Sequence, residues 1–379
     1  MVSAAVRLPR RRSPHRAATN LIRARSPAAG YPDPMDSPGF GDPTPDILGP
    51  GYEALSLDLP YDDEGAVQST LVRFRANTAT SRAILYVHGF ADYFFQTELA
   101  EFHAARGEDF YAIDLHKYGR SLRPHQTSYR MADVADYYTE LDAALRFIVG
   151  EGHDHLVINA HSTGGLIVPL WLHDRRLQGD DLDAIRGIVL NSPFLEIPAS
   201  RAFRTIAARP INTVARSRPL AVFPSFGPSF YNQSIHRSAR GEWDFIEEWK
   251  PVTGGVVRVG WLAAAQRATG RVQAGLGLPY PILVLCSRRT IRARKWTEDF
   301  YAGDSVLHAD AIARSSVRLG SHVTCIRIDR GMHDLLLSAP DVRRRVYAEI
   351  ERWMNAYAPA DETAGKSGPV VLAPDESAR

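Results

Sequence analysis

The sequence of 379 residues contains only two cysteines, Cys286 and Cys325. Each lies in a short apolar run that predicts a buried strand, so a disulfide framework is not expected, and a reducing cytoplasm is the expected compartment. No uninterrupted apolar run of the length of a membrane-spanning helix is present, and none is predicted. The GxxxxGK phosphate loop and the HExxH zinc motif are also missing. The sequence therefore disfavours nucleotide and zinc chemistry and predicts neither a metal nor a cofactor.

Basic residues are concentrated at the N-terminus, although the net charge of the whole chain is only +2. Residues 1–34 contain seven arginines and the single acid Asp33. This composition buries too little apolar surface to fold, so residues 1–45 are predicted to form a disordered, basic and proline-rich tail. The segment lacks the apolar core of a secretory signal, and no nucleic-acid partner is expected. Met35 is an alternative initiator, which the intact mass of the natively expressed protein would test.

The most informative stretch is LVINAHSTGGLIV at residues 156–168. An apolar run typical of a strand ends at Ala160, Ser162 follows, and two glycines lead into a run with helical spacing. A serine at the apex of such a strand-turn-helix needs small neighbours, because the turn is strained and crowded. The usual pattern is GxSxG, and Ala160 adds one methyl group at its first position. A nucleophilic role for Ser162 requires a base, an acid and oxyanion donors elsewhere in the chain.

Strand and helix patterns alternate through most of the chain. Residues 52–59 and 67–76 alternate apolar and polar side chains, which predicts an antiparallel hairpin at the start of a sheet. From Ala83–Val87 onward the apolar runs are continuous, as in strands that are covered on both faces of a parallel sheet. Helical segments separate these runs, so the pattern predicts a doubly wound α/β sheet with right-handed crossovers.

The alternation stops at residue 196 and resumes after residue 276. In between lie prolines, aromatic residues and helical pieces, but no strong strand pattern. The simplest interpretation is a helical insertion over the carboxyl edge of the sheet. The expected domains are the first part of the core at residues 46–195, the insertion at 196–276, the second part of the core at 277–358, and a flexible tail at 359–379.

Four separated motifs occur in a characteristic order, namely LYVHGFAD at residues 85–92, DLHKYGRS at 114–121, INAHSTGG at 158–165 and GMHD at 331–334. In this order they resemble the α/β-hydrolase superfamily, in particular its branch of monoacylglycerol lipases, lysophospholipases and serine-aminopeptidase-like enzymes. The resemblance extends over residues 52 to 358. It implies a doubly wound, mostly parallel sheet of eight strands with a helical lid between the sixth and seventh, where the insertion falls.

The resemblance also suggests a base for Ser162. A serine hydroxyl is a poor nucleophile until a base takes its proton, and imidazole suits this role near neutral pH. In the family that the chain resembles, the catalytic base lies in the loop after the last strand of the sheet. Of the thirteen histidines, His333 has this position. The same likeness implies a structural hydrogen-bonding role for His88. His161 adjoins the nucleophile, but it is expected to point elsewhere in this turn.

The third group of a triad holds the imidazole in one tautomer. The carboxylates that follow the Cys286 strand are Glu298, Asp299, Asp304 and Asp310. In related enzymes the acid precedes a helix, the last strand and the histidine, and Asp304 fits this order, with Asp299 in reserve. The connection from Arg288 to Tyr301 is longer and more basic than the resemblance implies.

The remaining requirement is a pair of backbone N–H groups for the negative charge that develops on the substrate. The resemblance assigns them to Phe90, in the loop after the first parallel strand, and to Thr163, directly after the nucleophile. The start of the helix that follows Thr163 would assist.

These features predict a serine hydrolase that cleaves a carboxylic ester through an acyl-enzyme. The ester is expected to be a monoacylglycerol, a lysophospholipid or a simple ester, and transient contact with a membrane surface is left open. An amide or peptide hydrolase of the serine-aminopeptidase type is the alternative, and a non-catalytic binding module on the same scaffold is a further one. The substrate-binding residues and the oligomeric state are not predicted. Aromatic residues and arginines of the insertion are expected mainly to pack it onto the core and to face solvent.

Overall fold

The computed structural model describes residues 39–198, 201–224 and 229–359, and for residues 201–208 the backbone alone. Residues 1–38 and 360–379 of the predicted tails lie outside the described residues, whereas residues 39–45 are described and residues 44 and 45 form a strand.

The described chain alternates strands and helices as the sequence predicts. Its strands are β1 (Thr44–Pro45), β2 (Tyr52–Asp62), β3 (Gly65–Phe74), β4 (Arg82–Val87), β5 (Asp109–Asp114), β6 (His155–His161), β7 (Ile185–Asn191), β8 (Ile282–Ser287) and β9 (Val323–Ile328). Its α-helices are α1 (Thr97–Ala105), α2 (Tyr138–Gly150), α3 (Gly164–Gln178), α4 (Arg201–Ser217), α5 (Phe230–Ile235), α6 (Val259–Ala274), α7 (Ala309–Ser315) and α8 (Pro340–Tyr357).

All the strands form one mostly parallel sheet in the order β1-β2-β3-β5-β4-β6-β7-β8-β9. The first three strands and the β3–β5 pair are antiparallel, and every pair from β5–β4 to β8–β9 is parallel. Because β4 lies between β5 and β6, the carboxyl ends of β4 and β6 are neighbours, with Val87 opposite Ala160. This register brings the loops after these two strands together at one edge of the sheet.

The sheet has nine strands among the described residues, one more than the eight predicted. The additional strand is β1, in which Thr44 and Pro45 pair with Ala54 and Glu53. Two residues that include a proline carry no alternation of apolar and polar side chains, so no pattern identifies them as a strand. The other eight strands agree with the prediction.

Helices cover both faces of the sheet and produce two main clusters of buried side chains. On β4, Leu85 and Val87 face the cluster with α2, α3 and α6, while Ile84 and Tyr86 face the cluster with α1 and α8. This explains the continuous apolar run, since successive side chains of a strand point to opposite faces. A fully buried aliphatic side chain contributes about 1.5–3 kcal/mol to folding.

The predicted insertion lies between β7 and β8, where the structure has α4, α5 and α6. When the short β1 is set aside, these are the sixth and seventh strands, as expected. Ile211 of α4 packs with Val259 and Ala263 of α6. A second contact joins the insertion to the core, since Tyr231 and Phe245 pack with Met332. Among the described residues, none of the helices combines the length and the hydropathy that a membrane span requires.

The two cysteines differ in burial, which corrects the prediction that both are buried. Cys286 on β8 is buried and Cys325 on β9 is exposed, and neither forms a disulfide. The difference follows from topology, because β9 lies at the edge of the sheet and β8 is covered by a strand on each side.

Candidate active site

Ser162 occupies a strained turn between β6 and α3. Its φ is +51°, in the left-handed region that residues with a side chain rarely adopt. The turn is held on both sides by the loop after β7, because Ser162 N donates to Asn191 O at 3.0 Å and Phe194 N donates to Ser162 O at 2.8 Å. Backbone strain of this kind persists only where the surrounding structure imposes it.

Two glycines after Ser162 allow α3 to approach the neighbouring loops. A Cβ at Gly164 would lie 2.4 Å from Val87 O and 2.6 Å from His88 O, and both of these atoms belong to the backbone. A Cβ at Gly165 would lie 2.6 Å from the Cβ of Pro193. Glycine is therefore required at both positions after Thr163, because a larger residue would collide with the neighbouring loops.

The structure brings Ser162, His333 and Asp304 together. The Oγ of Ser162 lies 3.0 Å from Nε2 of His333, and Nδ1 of the same ring lies 3.0 Å from Oδ2 of Asp304. The partners indicate that the serine hydroxyl donates to Nε2 and that Nδ1–H donates to the carboxylate. All three residues are buried. Such a chain of hydrogen bonds can move a proton from the hydroxyl to the imidazole.

A folded-back loop explains how Asp304 reaches the histidine from a strand that ends at Ser287. Thr290 and Asp304 form a bridge, in which Ile291 N donates to Asp304 O at 2.7 Å and Asp304 N donates to Arg289 O at 3.0 Å. This bridge joins the two ends of the long basic connection after β8. Asp299, the reserve candidate, lies instead on the surface, where it pairs with Arg289 at 2.5 Å.

Asp304 is held in its ionised form. Burial by itself would raise the pKa of Asp304, but His333 and the backbone N–H groups of Leu307 and Val306 lower it on balance. These N–H groups donate to Oδ1 at 2.7 Å and 2.8 Å, while Oδ2 faces the histidine. The carboxylate is therefore available to stabilise an imidazolium.

The loop after β4 lies directly against the nucleophile. A Cβ at Gly89 would lie only 3.0 Å from the Cβ of Ser162. His88 anchors this loop, because Leu115 N donates to its Nε2 at 3.0 Å and its Nδ1–H donates to Gly89 O at 2.8 Å. This agrees with the structural role predicted for His88. The backbone N–H groups of Phe90 and Thr163 have no acceptor among the described residues.

A pocket of about 340 Å³ opens above Ser162 and His333. Core loops form one side, and the insertion forms the other. Its apolar lining includes Phe90, Val222, Phe223, Val256, Val257 and Val306. The only carboxylate that lines it, among the described residues, is that of Asp92.

Asp92 forms a buried ion pair with Lys250 of the insertion. Lys250 Nζ donates to Asp92 Oδ1 at 2.7 Å, and both side chains are almost fully buried. Burial would raise the pKa of Asp92, but Lys250, together with His161 and His88, lowers it on balance. The ammonium also lies 5.6 Å from the ring centre of Phe95 and 5.7 Å from that of Phe245. This pair connects the insertion to the loop that carries Phe90.

Replacing Lys250 by methionine should destabilise the protein by about 3–5 kcal/mol, because it leaves the Asp92 carboxylate buried and unpaired. Urea denaturation would measure this loss. The double variant Asp92→Asn/Lys250→Met is the matched control and should lose less stability than the single variant, since both charges are then removed. A single variant as stable as the wild type would contradict a structural role for the pair.

A hydrogen-bond network beside His333 was not predicted from the sequence. Asp334 Oδ1 accepts from Asn191 Nδ2 at 2.7 Å, and its Oδ2 accepts from Gln96 Nε2 at 3.0 Å. Asp334 N donates to the hydroxyl of Tyr231, whose ring contacts that of His333 edge to face. Only the adjacency of Asp334 to His333 signalled such a role. The other residues are distant in sequence and follow no motif.

His161 was predicted to adjoin the nucleophile and to point elsewhere, but it lies beside His333. It lines the pocket, and its ring centre is 5.0 Å from that of His333. Its Nδ1 lies 3.2 Å from Asn191 O. Burial lowers the pKa of His161 on balance, although the charge of Asp334 opposes it, and this favours the neutral ring. Among the described residues, no group of histidine, cysteine or acidic side chains is arranged to hold a metal ion.

The fold defines an α/β-hydrolase. Solved structures of this class align with the chain over most of their length. A soluble variant of monoglyceride lipase from Saccharomyces cerevisiae, in complex with a substrate analog, aligns with a TM-score of 0.56 and 13% identity over 79% of this chain and 94% of that chain. A thermostable carboxyl esterase from Bacillus coagulans in complex with glycerol has a TM-score of 0.56 and 12% identity over 80% and 99%. An open-form lipase has a TM-score of 0.58 and 13% identity over 80% and 99%.

The family is identified by its sequence model. The model described as serine aminopeptidase, S33, matches residues 78–339, which is well over half of the chain. The chain therefore belongs to this family of hydrolases. A search of curated protein sequences found no match.

Proposed function

We propose that the protein is a serine hydrolase that cleaves carboxylic esters through an acyl-enzyme. The observation that carries the proposal is the hydrogen-bonded chain from the Oγ of Ser162 through His333 to Asp304, with 3.0 Å at each step. Its position at the carboxyl edge of a mostly parallel sheet is the usual position of ligand sites in open α/β folds.

In the proposed reaction, Ser162 Oγ attacks the ester carbonyl while its proton passes to Nε2 of His333. The oxyanion that forms is bound by the N–H groups of Phe90 and Thr163. His333 then gives its proton to the departing alcohol, which leaves an acyl group on the serine. A water molecule then attacks this acyl-enzyme while its proton passes to His333. The imidazolium returns the proton to Ser162 Oγ as the bond between Oγ and the acyl carbon breaks, which releases the carboxylic acid and the free serine. Asp304 stabilises the imidazolium in both steps.

The pocket supports an ester with an apolar acyl group. Its valine and phenylalanine lining suits a hydrocarbon chain. The structural relatives include a monoglyceride lipase and a carboxyl esterase. A monoacylglycerol, a lysophospholipid or a simple ester would each present a single acyl chain to such a pocket.

An aminopeptidase activity is the second candidate, because the family model carries that description. Recognition of a free α-ammonium group requires an uncompensated negative charge near the nucleophile. The one carboxylate that lines the described pocket, Asp92, is paired with Lys250 at 2.7 Å. Because this ion pair has no net charge, the pocket favours an ester substrate over a peptide with a free amino terminus.

We also propose that the insertion is a lid. Val222, Phe223, Tyr231 and Lys250, which belong to it, line the pocket opposite Ser162. A substrate bound in this pocket would therefore contact the insertion.

Two measurements test the proposal. A fluorophosphonate probe should label the wild type and should not label Ser162→Ala, whereas folded wild type that takes no label would favour a binding module. p-Nitrophenyl esters of graded acyl length, compared with aminoacyl p-nitroanilides, separate the two activities. Faster turnover of the anilides would overturn the ester assignment and leave the serine mechanism intact.

A further inference from the structure

A second pocket, of about 500 Å³, lies between α4, the beginning of α6 and the core segment at residues 130–132. Four arginines line it, and we call it the arginine pocket. They are Arg130, Arg216, Arg258 and Arg267. No carboxylate is present among the described residues of its lining. Ser162 and His333 do not line it, so it is separate from the candidate active site.

Two of the four guanidinium groups have a carboxylate near them. Arg130 pairs with Asp63 at 2.7 Å and with Glu64 at 3.5 Å, of which Asp63 is largely exposed and Glu64 is mostly buried. Arg267 lies 3.6 Å from Asp133, which is half exposed. None of these carboxylates lines the pocket. Solvent weakens the pairing with Asp63 and Asp133. The mostly buried Glu64 compensates Arg130 more fully.

The other two arginines form no ion pair with the described residues. Arg258 donates from Nη1 to Leu220 O at 2.9 Å, and its Nε is buried without a hydrogen-bond partner. Arg216 is exposed on α4 and faces the pocket from the other side. The guanidinium group of Arg258 therefore has one unsatisfied donor and no ionic partner among the described residues.

The pocket also has apolar walls. They are contributed by Met131, Ala215, Leu220, Trp261 and Ala263. Leu220 is 40% exposed, although it is a large apolar side chain. An apolar surface beside several guanidinium groups matches a ligand that has an oxyanion head and a hydrocarbon body.

We propose that the arginine pocket binds an anionic amphiphile, namely a phosphate or carboxylate group attached to an alkyl chain. Guanidinium groups bind such oxyanions through paired N–H donors, and Arg216 and Arg258 form no ion pair with the described residues that would compete with the ligand. The inference is independent of the proposed function, because it uses no residue of the Ser162 site. The head group can come from a dissolved monomer or from an anionic lipid in a membrane.

Isothermal titration of the full chain with octyl phosphate tests the proposal, with 1-octanol and inorganic phosphate as comparison ligands. Octyl phosphate should bind more tightly than either, because only it offers both the charge and the chain. Arg258→Met, which keeps the length of the side chain, and Arg216→Gln, which changes an exposed residue, should each weaken binding about tenfold. Arg218→Gln is the matched control, since Arg218 is exposed on the same segment but does not line the pocket.

The outcomes separate clearly. If octanol binds as tightly as octyl phosphate, or if Arg216→Gln and Arg258→Met bind octyl phosphate as well as Arg218→Gln does, the proposal is wrong. Cosedimentation with phosphatidylcholine vesicles, with and without phosphatidylglycerol, distinguishes the sources. Arginine-dependent binding to the anionic vesicles alone identifies a membrane lipid, and arginine-dependent binding of octyl phosphate alone identifies a dissolved ligand. Absence of both overturns the site. Hydrolysis does not enter these measurements, so a failed hydrolase proposal would not affect them.

Discussion

Ser162→Ala and His333→Ala are each expected to lower kcat for a p-nitrophenyl ester by about 10⁶-fold, because the hydroxyl and the imidazole act as one unit. The structural basis is the 3.0 Å contact between Ser162 Oγ and His333 Nε2. Removal of either partner leaves the other without a role in the attack. The double variant should therefore be little slower than either single variant. Steady-state kinetics of the three variants on one ester would measure this.

His125→Ala is a suitable control for the histidine variant, since His125 is exposed and hydrogen-bonds only to the backbone oxygen of Ala66 among the described residues. It should retain wild-type turnover. If His333→Ala kept activity near that of the wild type, the base would have been assigned wrongly. His161 would then be the first residue to examine, because its ring lies 5.0 Å from that of His333.

Local sequence patterns predicted the elements that carry the site. Continuous apolar runs identified β4 to β8, because a strand that is buried on both faces carries apolar side chains at successive positions. The turn at Ser162 was predicted since its glycines are needed for close backbone approach, and the structure gives the contacts at Gly164 and Gly165 that require them. Fold class and the position of the insertion followed from the order of these patterns.

Long-range pairings could not be predicted in the same way. Lys250 lies 158 residues from Asp92, and nothing in the local sequence of either residue indicates the other. The same holds for Tyr231, whose contact with Asp334 depends on how the insertion folds over the core. Burial of Cys325 was overestimated, because the order of strands in the sheet decides which strand lies at the edge. Such features are set by tertiary packing rather than by periodicity.

The role of Asp304 was predicted from the sequence, but the path of the chain that leads to it was not. Its place in the order of serine, acid and histidine came from the family resemblance, but the long connection after β8 made its distance from the strand difficult to explain. The bridge between Thr290 and Asp304 removes that difficulty, because it returns the chain to the end of β8. The residues between Thr290 and Asp304 form a loop, and Asp299 lies on its exposed side, where it pairs with Arg289.

The pH dependence of stability should reflect the environment of Asp304. Because its pKa is lowered in the folded protein, the ionised carboxylate contributes stability that is present above the ordinary pKa of aspartate. This contribution is lost as the pH falls through the lowered pKa.

Asp304→Asn is expected to lower kcat by about 10⁴-fold while the protein remains folded. An amide at this position does not stabilise the imidazolium, and it can donate to Nδ1 and so favour the wrong tautomer of His333. Asp299→Asn is the matched control, because this carboxylate pairs with Arg289 on the surface and should leave turnover within about twofold of the wild type. Steady-state kinetics on one p-nitrophenyl ester would compare the two variants. If Asp299→Asn were the slower enzyme, the loop would have to rearrange during catalysis, and Asp304 would be a structural carboxylate that holds Val306 and Leu307 in place.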